Sequence, residues 1–287
     1  SDSKESDNFP ILEAAWPTVA AALTRFLAGS NDRLQTACDA LRDFLDFTGR
    51  WDEWLALLRD AEAKAIAAKD FSNAGWCAYD AGWVHCLRGQ SAEVLACADR
   101  AKDYWNEAKA STREHAIAMR LRGHGYRLAR DYPAAIEVFR EVAELWRTLS
   151  LESIDAAIIL NDLAGAELSS GDIYGAERNF RESQRIALAV DYREGIAYTT
   201  GNLASIALEQ EDWSGAEVLS HESLTLAEKI GRKELIAANC YRLAIALIQQ
   251  GRKSEALPHA RRAVEIFTIL RHPDLDLARQ NFTECES

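Results

Sequence analysis

The phrase LSSGDIYGAERNF, running from Leu168 to Phe180, returns in altered form along the whole chain. Related copies read FTGRWDEWLALL near Phe47, LARDYPAAIEVF near Leu128, LEQEDWSGAEVL near Leu208 and IQQGRKSEALPHA near Ile248. Aligned on one turn residue, the copies fall at Gly49, Gly89, Arg130, Gly171, Glu211 and Gly251, at intervals of 40, 41, 41, 40 and 40 residues. A period of this size belongs to arrays, in which a supersecondary unit stacks on its neighbour because it cannot bury its apolar face alone. Two apolar-periodic runs flank each turn, as SIDAAIILNDLAGAELSS and YGAERNFRESQRIALAV flank Gly171, with apolar or small residues at three- and four-residue steps. The turns are rich in Gly, Asp and Ser, and no stretch alternates with period two. The chain therefore reads as all-α, a helix–turn–helix unit repeated six times.

Helices that cross closely need small residues at the crossing. Seven residues before the turn stand Gly82, Gly123, Ala164, Ala204 and Ala244, and Arg42 alone departs. Five after it stand Ala135, Ala176, Ala216 and Ala256, with Trp54 and Val94 in the first two units. Twelve after it stand Ala61, Ala101, Val142, Ser183, Ser223 and Ala263. Leu163, Leu203, Leu243, Phe139 and Phe180 supply bulk between these positions, and Trp51, Tyr132 and Trp213 sit where an aromatic ring covers the helix junction.

From Asp32 to Leu270 this pattern resembles the tetratricopeptide repeat, and the resemblance implies a right-handed superhelical solenoid of about six repeats. The common unit is about 34 residues long, so the surplus here predicts longer helices, at about 1.5 Å per added residue. The expected division is a polar linker or chain end over 1–9 and an N-terminal helical cap over 10–30, with Pro17 restarting or kinking it. Repeats follow over 31–70, 71–111, 112–152, 153–192, 193–232 and 233–271. A closing helix over 272–287 is expected to start near His272 and Pro273 and to cover the last apolar face.

Composition narrows the function. A formal net charge of −12 opposes nonspecific binding to nucleic acid or to anionic lipid, so neither nucleic acid nor membrane is expected as a partner. No apolar run near 18 residues and no signal-peptide pattern stands out, and a cytoplasmic location is expected. The six cysteines, Cys38, Cys77, Cys86, Cys97, Cys240 and Cys285, contain no C-x-x-C pair and read as reduced thiols in helix cores. No phosphate-binding loop, H-E-x-x-H or G-x-S-x-G motif occurs, and the six histidines are scattered. Catalytic residues, metal and cofactor are all expected to be none.

A stack of helical hairpins curls, and its first helices line the concave side. Residues 13, 10, 6 and 3 before each turn then face inward. They read Thr36, Asp39, Asp43 and Asp46 in the first unit, Trp76, Tyr79, Trp83 and Cys86 in the second, and Ile117, Arg120, His124 and Arg127 in the third. The later units present small and apolar residues there, among them Asn161, Gly201, Ser205, Leu208, Ala238, Tyr241 and Ile245. Aromatic anchors beside basic ones suit a protein or peptide ligand, because Trp and Tyr give contact area and Arg gives charge-assisted hydrogen bonds. The candidate ligand-binding residues are Trp76, Tyr79, Trp83, Arg120, His124, Arg127 and Asn161, with Asp39 and Asp43 offering electrostatic contact. Each has a second reading: Trp76 and Trp83 as packing between repeats, the basic set as partners of facing acids or of solvent, and the Asp stripe as a solvated face. The basic set does not match the Asn-and-Lys carboxylate clamp of chaperone-binding members of the repeat family, so a chaperone tail is not the expected ligand.

The stretch LEAAWPTVAAAL, followed by DRLQTACDALRDFLDFTGRWDEWLALL, resembles the entry to the repeat arm of bacterial signal-transduction ATPases of the STAND class, such as NB-ARC-type and maltose-regulator-like proteins. That resemblance, over about residues 11 to 58, implies a sensor arm that follows a nucleotide-binding module in the parent protein and relieves its autoinhibition when an effector binds. A constitutive scaffold and a peptide-pheromone receptor are the competing readings.

Overall fold

A computed structural model describes residues 8–149 and 152–286; the polar start over 1–7 lies outside the described residues. Among them every regular element is an α-helix. The first compact unit, ending at Arg130, holds α1 (Phe9–Ala28), α2 (Asn31–Phe47), α3 (Trp51–Ala67), α4 (Phe71–Leu87), α5 (Ser91–Glu107) and α6 (Thr112–Leu128). The second, from Asp131, holds α7 (Tyr132–Leu149), α8 (Ile154–Ser170), α9 (Ile173–Ala189), α10 (Arg193–Glu209), α11 (Trp213–Ile230), α12 (Lys233–Gln249), α13 (Lys253–Leu270) and α14 (Leu275–Glu286). From α2 to α13 every helix is 17 or 18 residues long. Two such helices with their short connections fill the period, so the surplus over the common repeat is spent on helix length.

The residue on which the repeats align is the one that stops each helix. Gly49, Gly89, Arg130, Gly171, Glu211 and Gly251 all have φ between 60° and 91°. That left-handed turn lets the next N–H reach a carbonyl five residues back: Gln90 to His85, Asp172 to Glu167 and Asp212 to Ala207, each at 2.9 Å. The following residue then starts the next helix. Asp172 and Asp212 accept the backbone N–H of Gly175 and Gly215 at 3.0 and 2.9 Å, occupying donors that a helix start leaves open. The connections between repeats use the same device at Lys69, Lys109, Asp191, Gly231 and Arg271, with φ of 51–80°. Asp70 caps α4 as Asp172 caps α9.

The small positions are the core. Ala164, Ala204 and Ala244, then Ala135, Ala176, Ala216 and Ala256, then Ala61, Ala101, Val142 and Ala263, are all fully buried. At the last position two repeats place serine, and both serines bond alike: Ser183 Oγ donates to Ala157 O at 2.6 Å and Ser223 Oγ to Ala197 O at 2.7 Å. First helices of successive repeats touch, α4 with α6 in the first unit and α8 with α10, α10 with α12 and α12 with α14 in the second. At the far end Leu275, Phe282 and Cys285 of α14 pack on the cluster that includes Leu243, Leu247 and Phe267.

Pro17 lies inside one continuous helix, α1, rather than between two. This helix is docked through Trp16, whose Nε1 donates to Glu53 Oε1 at 2.8 Å while its ring packs on Phe44 at 5.3 Å. The expectation of no long apolar run needs correction here, because α1 is long and apolar enough, by length and composition, to cross a membrane. Five cysteines are buried and all six are free. Burial pushes the Cys38 thiol up to about 12 and the Cys240 thiol to about 11, so neither offers thiolate at neutral pH.

Candidate functional site

In the first unit, the face made by α2, α4 and α6 gathers the aromatic and basic residues that the repeat spacing singles out. Trp76 meets Tyr79 edge-on at 5.8 Å and Trp105 of α5 at 5.3 Å. Trp105 is fully buried and lies directly on the backbone of α4. Gly75 makes room for it: a Cβ there would stand 2.3 Å from the indole nitrogen. Trp76 therefore does part of its work as packing between repeats, yet its side chain remains half-buried.

Arg120 of α6 donates from Nη1 to the Tyr79 hydroxyl at 3.0 Å and lies over the Trp83 ring at 5.3 Å. Its partners on α4 are thus an aromatic face and a phenol. His124, one turn further along α6, packs edge-on against the same indole at 5.6 Å. It is 5% exposed, so it supports Trp83 from behind and presents almost no surface of its own. Tyr79, Trp83 and Arg120 stay half-buried, as does Arg127, which takes no part in these contacts.

Asp39 and Asp43 on α2 are exposed. Between them and the aromatic cluster stands Arg42, the residue that departs from the small-residue rule. Its guanidinium lies over Trp76 at 5.5 Å and reaches Asp80 at 2.9 Å and Asp39 at 3.7 Å. Asp80 is 7% exposed, and burial lifts its carboxyl to about 7 against the pull of Arg42. Arg42 and Asp80 are site residues that the inward-facing stripe omits. The signal for them was the exception itself, a long cation at a position reserved for Gly or Ala.

Asn161 belongs to α8, in the second unit, where its Oδ1 accepts from Asn202 Nδ2 at 2.9 Å. Asn202 opens a polar row in which the stripe includes Ser205 but omits Asn202, Arg242 and Asn239. Arg242 Nε donates to Ser205 Oγ at 2.7 Å, and its Nη groups approach Asn239 Oδ1 at 3.3 Å and Asn202 Oδ1 at 3.4 Å. Asn239 is fully buried and donates to Ser223 Oγ at 2.7 Å and to Leu235 O at 2.9 Å. Asn161, Asn202 and Arg242 stand about one period apart, on the first helices of three successive repeats. Among the described residues no group of three or more His, Cys, Asp or Glu is placed to hold a metal ion.

These helices match known proteins in fold and, over part of the chain, in sequence. Residues 195–269 match the family model of the tetratricopeptide repeat. No curated protein matches the chain by sequence. Among solved structures, it is similar to a Rap protein complexed with competence and sporulation factor, at 12% identity and a TM-score of 0.66, over 92% of this chain and 78% of that one. The apo form of RapI is similar at 11% identity and a TM-score of 0.56, over 89% and 70% of the two chains. A signal transduction ATPase with numerous domains, carrying a tetratricopeptide repeat sensor and coming from Pyrococcus horikoshii, is similar at 10% identity and a TM-score of 0.55. That likeness spans 97% of this chain and 44% of the ATPase. At these identities the likeness shows the fold.

Proposed function

We propose that this chain, whose fold is that of a tetratricopeptide-repeat array, binds a protein or peptide effector on the first-helix face of α4 and α6, without catalysis. The observation that carries the reading is the setting of Arg120, held by the Tyr79 hydroxyl and the Trp83 face beside half-buried Trp76. Aromatic and Arg anchors of this kind, fixed before the ligand arrives, dominate binding energy at protein interfaces. His124 and Arg42 hold the rings from either side. Asp39 and Asp43 extend the face with negative charge, so a peptide with an aromatic or acidic group toward Arg120 and a basic group toward α2 fits the distribution. Asn161, on the face of the second unit, is the candidate contact there.

The biological setting proposed is the sensor arm of a STAND-type ATPase, with a nucleotide-binding module in the parent protein. The entry motif and the fold likeness to such a sensor support it. An effector bound on α4 and α6 acts by favouring one arrangement of the repeats, which α1, docked through Trp16 and Glu53, passes on. The shift is limited to the effector's difference in affinity between arrangements. A peptide receptor outside that class is the second reading, supported by the higher TM-score of the Rap complex. A phosphate-binding loop preceding Ser1 in the parent protein supports the first setting, and a DNA-binding helix-turn-helix the second.

The groove itself is tested with a peptide selected from a display library on the intact chain. Trp83→Ala and Arg120→Ala are each expected to weaken its binding about 10- to 100-fold in titration calorimetry. Circular dichroism checks that both variants remain helical. Unchanged affinity in both removes this face as the site.

A further inference from the structure

The second unit contains a cavity of about 540 Å³ between α10, α12 and the loop leading to α14. That volume lies within the range of small-molecule sites, about 300–1,000 Å³. Leu208, Trp213, Tyr241 and Ile245 give it apolar and aromatic walls, while Ser205 and Arg242 give it a polar side. Glu209, Glu211 and Asp274 also line it.

Arg242 is the informative group. Its three hydrogen bonds all go to neutral oxygens, those of Ser205, Asn239 and Asn202, while the carboxylates of Glu234 and Asp274 act on it through space. A guanidinium has five N–H donors, so two remain. Desolvation holds its pKa below the ordinary arginine value, outweighing the pull of Glu234 and Asp274. The seat is built for it from the opposite helix. Gly201 leaves the space that Arg242 and Asn239 occupy, because a Cβ there would stand 2.7 Å from Asn239 Oδ1 and 3.3 Å from Arg242 Nη1. Two other arginines in the same unit are neutralised instead: Arg232 pairs with Glu194 at 3.2 Å and Arg252 with Glu217 at 2.6 Å. Glu209 and Glu211 line the cavity as exposed acids.

We propose that this cavity is a small-molecule site for a zwitterion, a free amino acid or dipeptide with apolar side chains. The ligand carboxylate meets the two remaining N–H groups of Arg242, the ammonium faces Glu209, Glu211 and Asp274, and the side chains lie against Trp213, Tyr241, Leu208 and Ile245. A cation whose hydrogen bonds all go to neutral oxygens recognises a carboxylate through charge-assisted bonds, which are about twice as strong as neutral ones. The acids on the lining then exclude a simple anion and favour a ligand that carries both charges. The site is independent of the α4–α6 face, and either proposal can fail alone.

The test uses the intact chain and free leucine, free phenylalanine and leucyl-phenylalanine as probes, followed by titration calorimetry and by tryptophan fluorescence. At least one probe is expected to bind. Amidation of its carboxylate is expected to weaken binding about 10- to 100-fold, and N-acetylation to weaken it as well. Arg242→Gln, which keeps donors for Ser205, is expected to abolish binding, whereas Trp83→Ala leaves it unchanged. Ile245→Trp, which fills the cavity and leaves Arg242 in place, is expected to block binding too. Absence of binding by all three probes at millimolar concentration overturns the proposal. So does equal binding of the amidated form, or full binding to the Ile245→Trp variant.

Discussion

Asp80 is placed against its own charge. Burial raises its carboxyl to about 7 although Arg42 stands 2.9 Å away. Because the folded-state value lies above the ordinary carboxylate value of 3.8, the folded chain holds this proton more tightly than the unfolded one. The resulting stabilisation is complete below about 3.8 and is lost as pH rises toward about 7. Asp80→Asn removes the dependence, so the variant is expected to gain stability relative to wild type between pH 5 and pH 8, as urea unfolding at the two pH values would show. The opposite sign would mean that the ion pair with Arg42 outweighs desolvation. At Gly75 the limit is space rather than charge. Gly75→Val drives a side chain into the Trp105 indole, and overpacking of this kind costs about 1–3 kcal/mol. Near-UV circular dichroism should report the loss of the Trp76–Trp105 contact, and urea unfolding the loss of stability.

At the scale of the helix and its ends, the repeat depends on residues held at positive φ. Glycine bears this without strain, but Arg130, Glu211, Lys69 and Lys109 do not. Glu211→Gly is therefore expected to stabilise the chain by about 0.5–1 kcal/mol in urea unfolding, the relief of strain exceeding the added freedom of the unfolded chain. The left-handed turns within hairpins were legible because glycine occupies four of the six. Those between repeats were hidden except at Gly231, since Lys69, Lys109, Asp191 and Arg271 announce no such turn by their chemistry. Ala164, Ala204 and Ala244 were legible as crossing points because burial at a helix crossing leaves few residue types to choose from. The site was legible only in part. Trp76, Tyr79, Trp83 and Arg120 could be placed on one face by period and helical step alone. The depth of His124 could not, because a face position still sinks when a neighbouring ring covers it. Arg242 and Asn202 were missed for a different reason: their bonds to Ser205, Asn161 and each other join residues some 40 positions apart on different helices, and a stripe drawn along one helix does not sample them.

Across the whole molecule, the chain divides into two compact units, each a stack of helices in sequence order. In such arrays stability is close to a sum of repeat and nearest-neighbour terms. Excision of residues 193–232, joining Tyr192 to Lys233, is expected to leave a folded chain with unchanged helix content per residue by far-UV circular dichroism. It should unfold at lower urea, having lost one repeat and its contacts. A product lacking cooperative unfolding would show that the repeats are not interchangeable. The two kinds of connection explain why such surgery should succeed. Both end a helix with the same left-handed residue, and an aspartate opens the next at Asp131, Asp172 and Asp212 within repeats and at Asp70 between them. A cut made at any one of them meets a matching end at any other of its kind. Gene duplication or unequal recombination could therefore lengthen or shorten the protein in whole modules, leaving the flanking joints ready-made and the reach of the molecule open to selection.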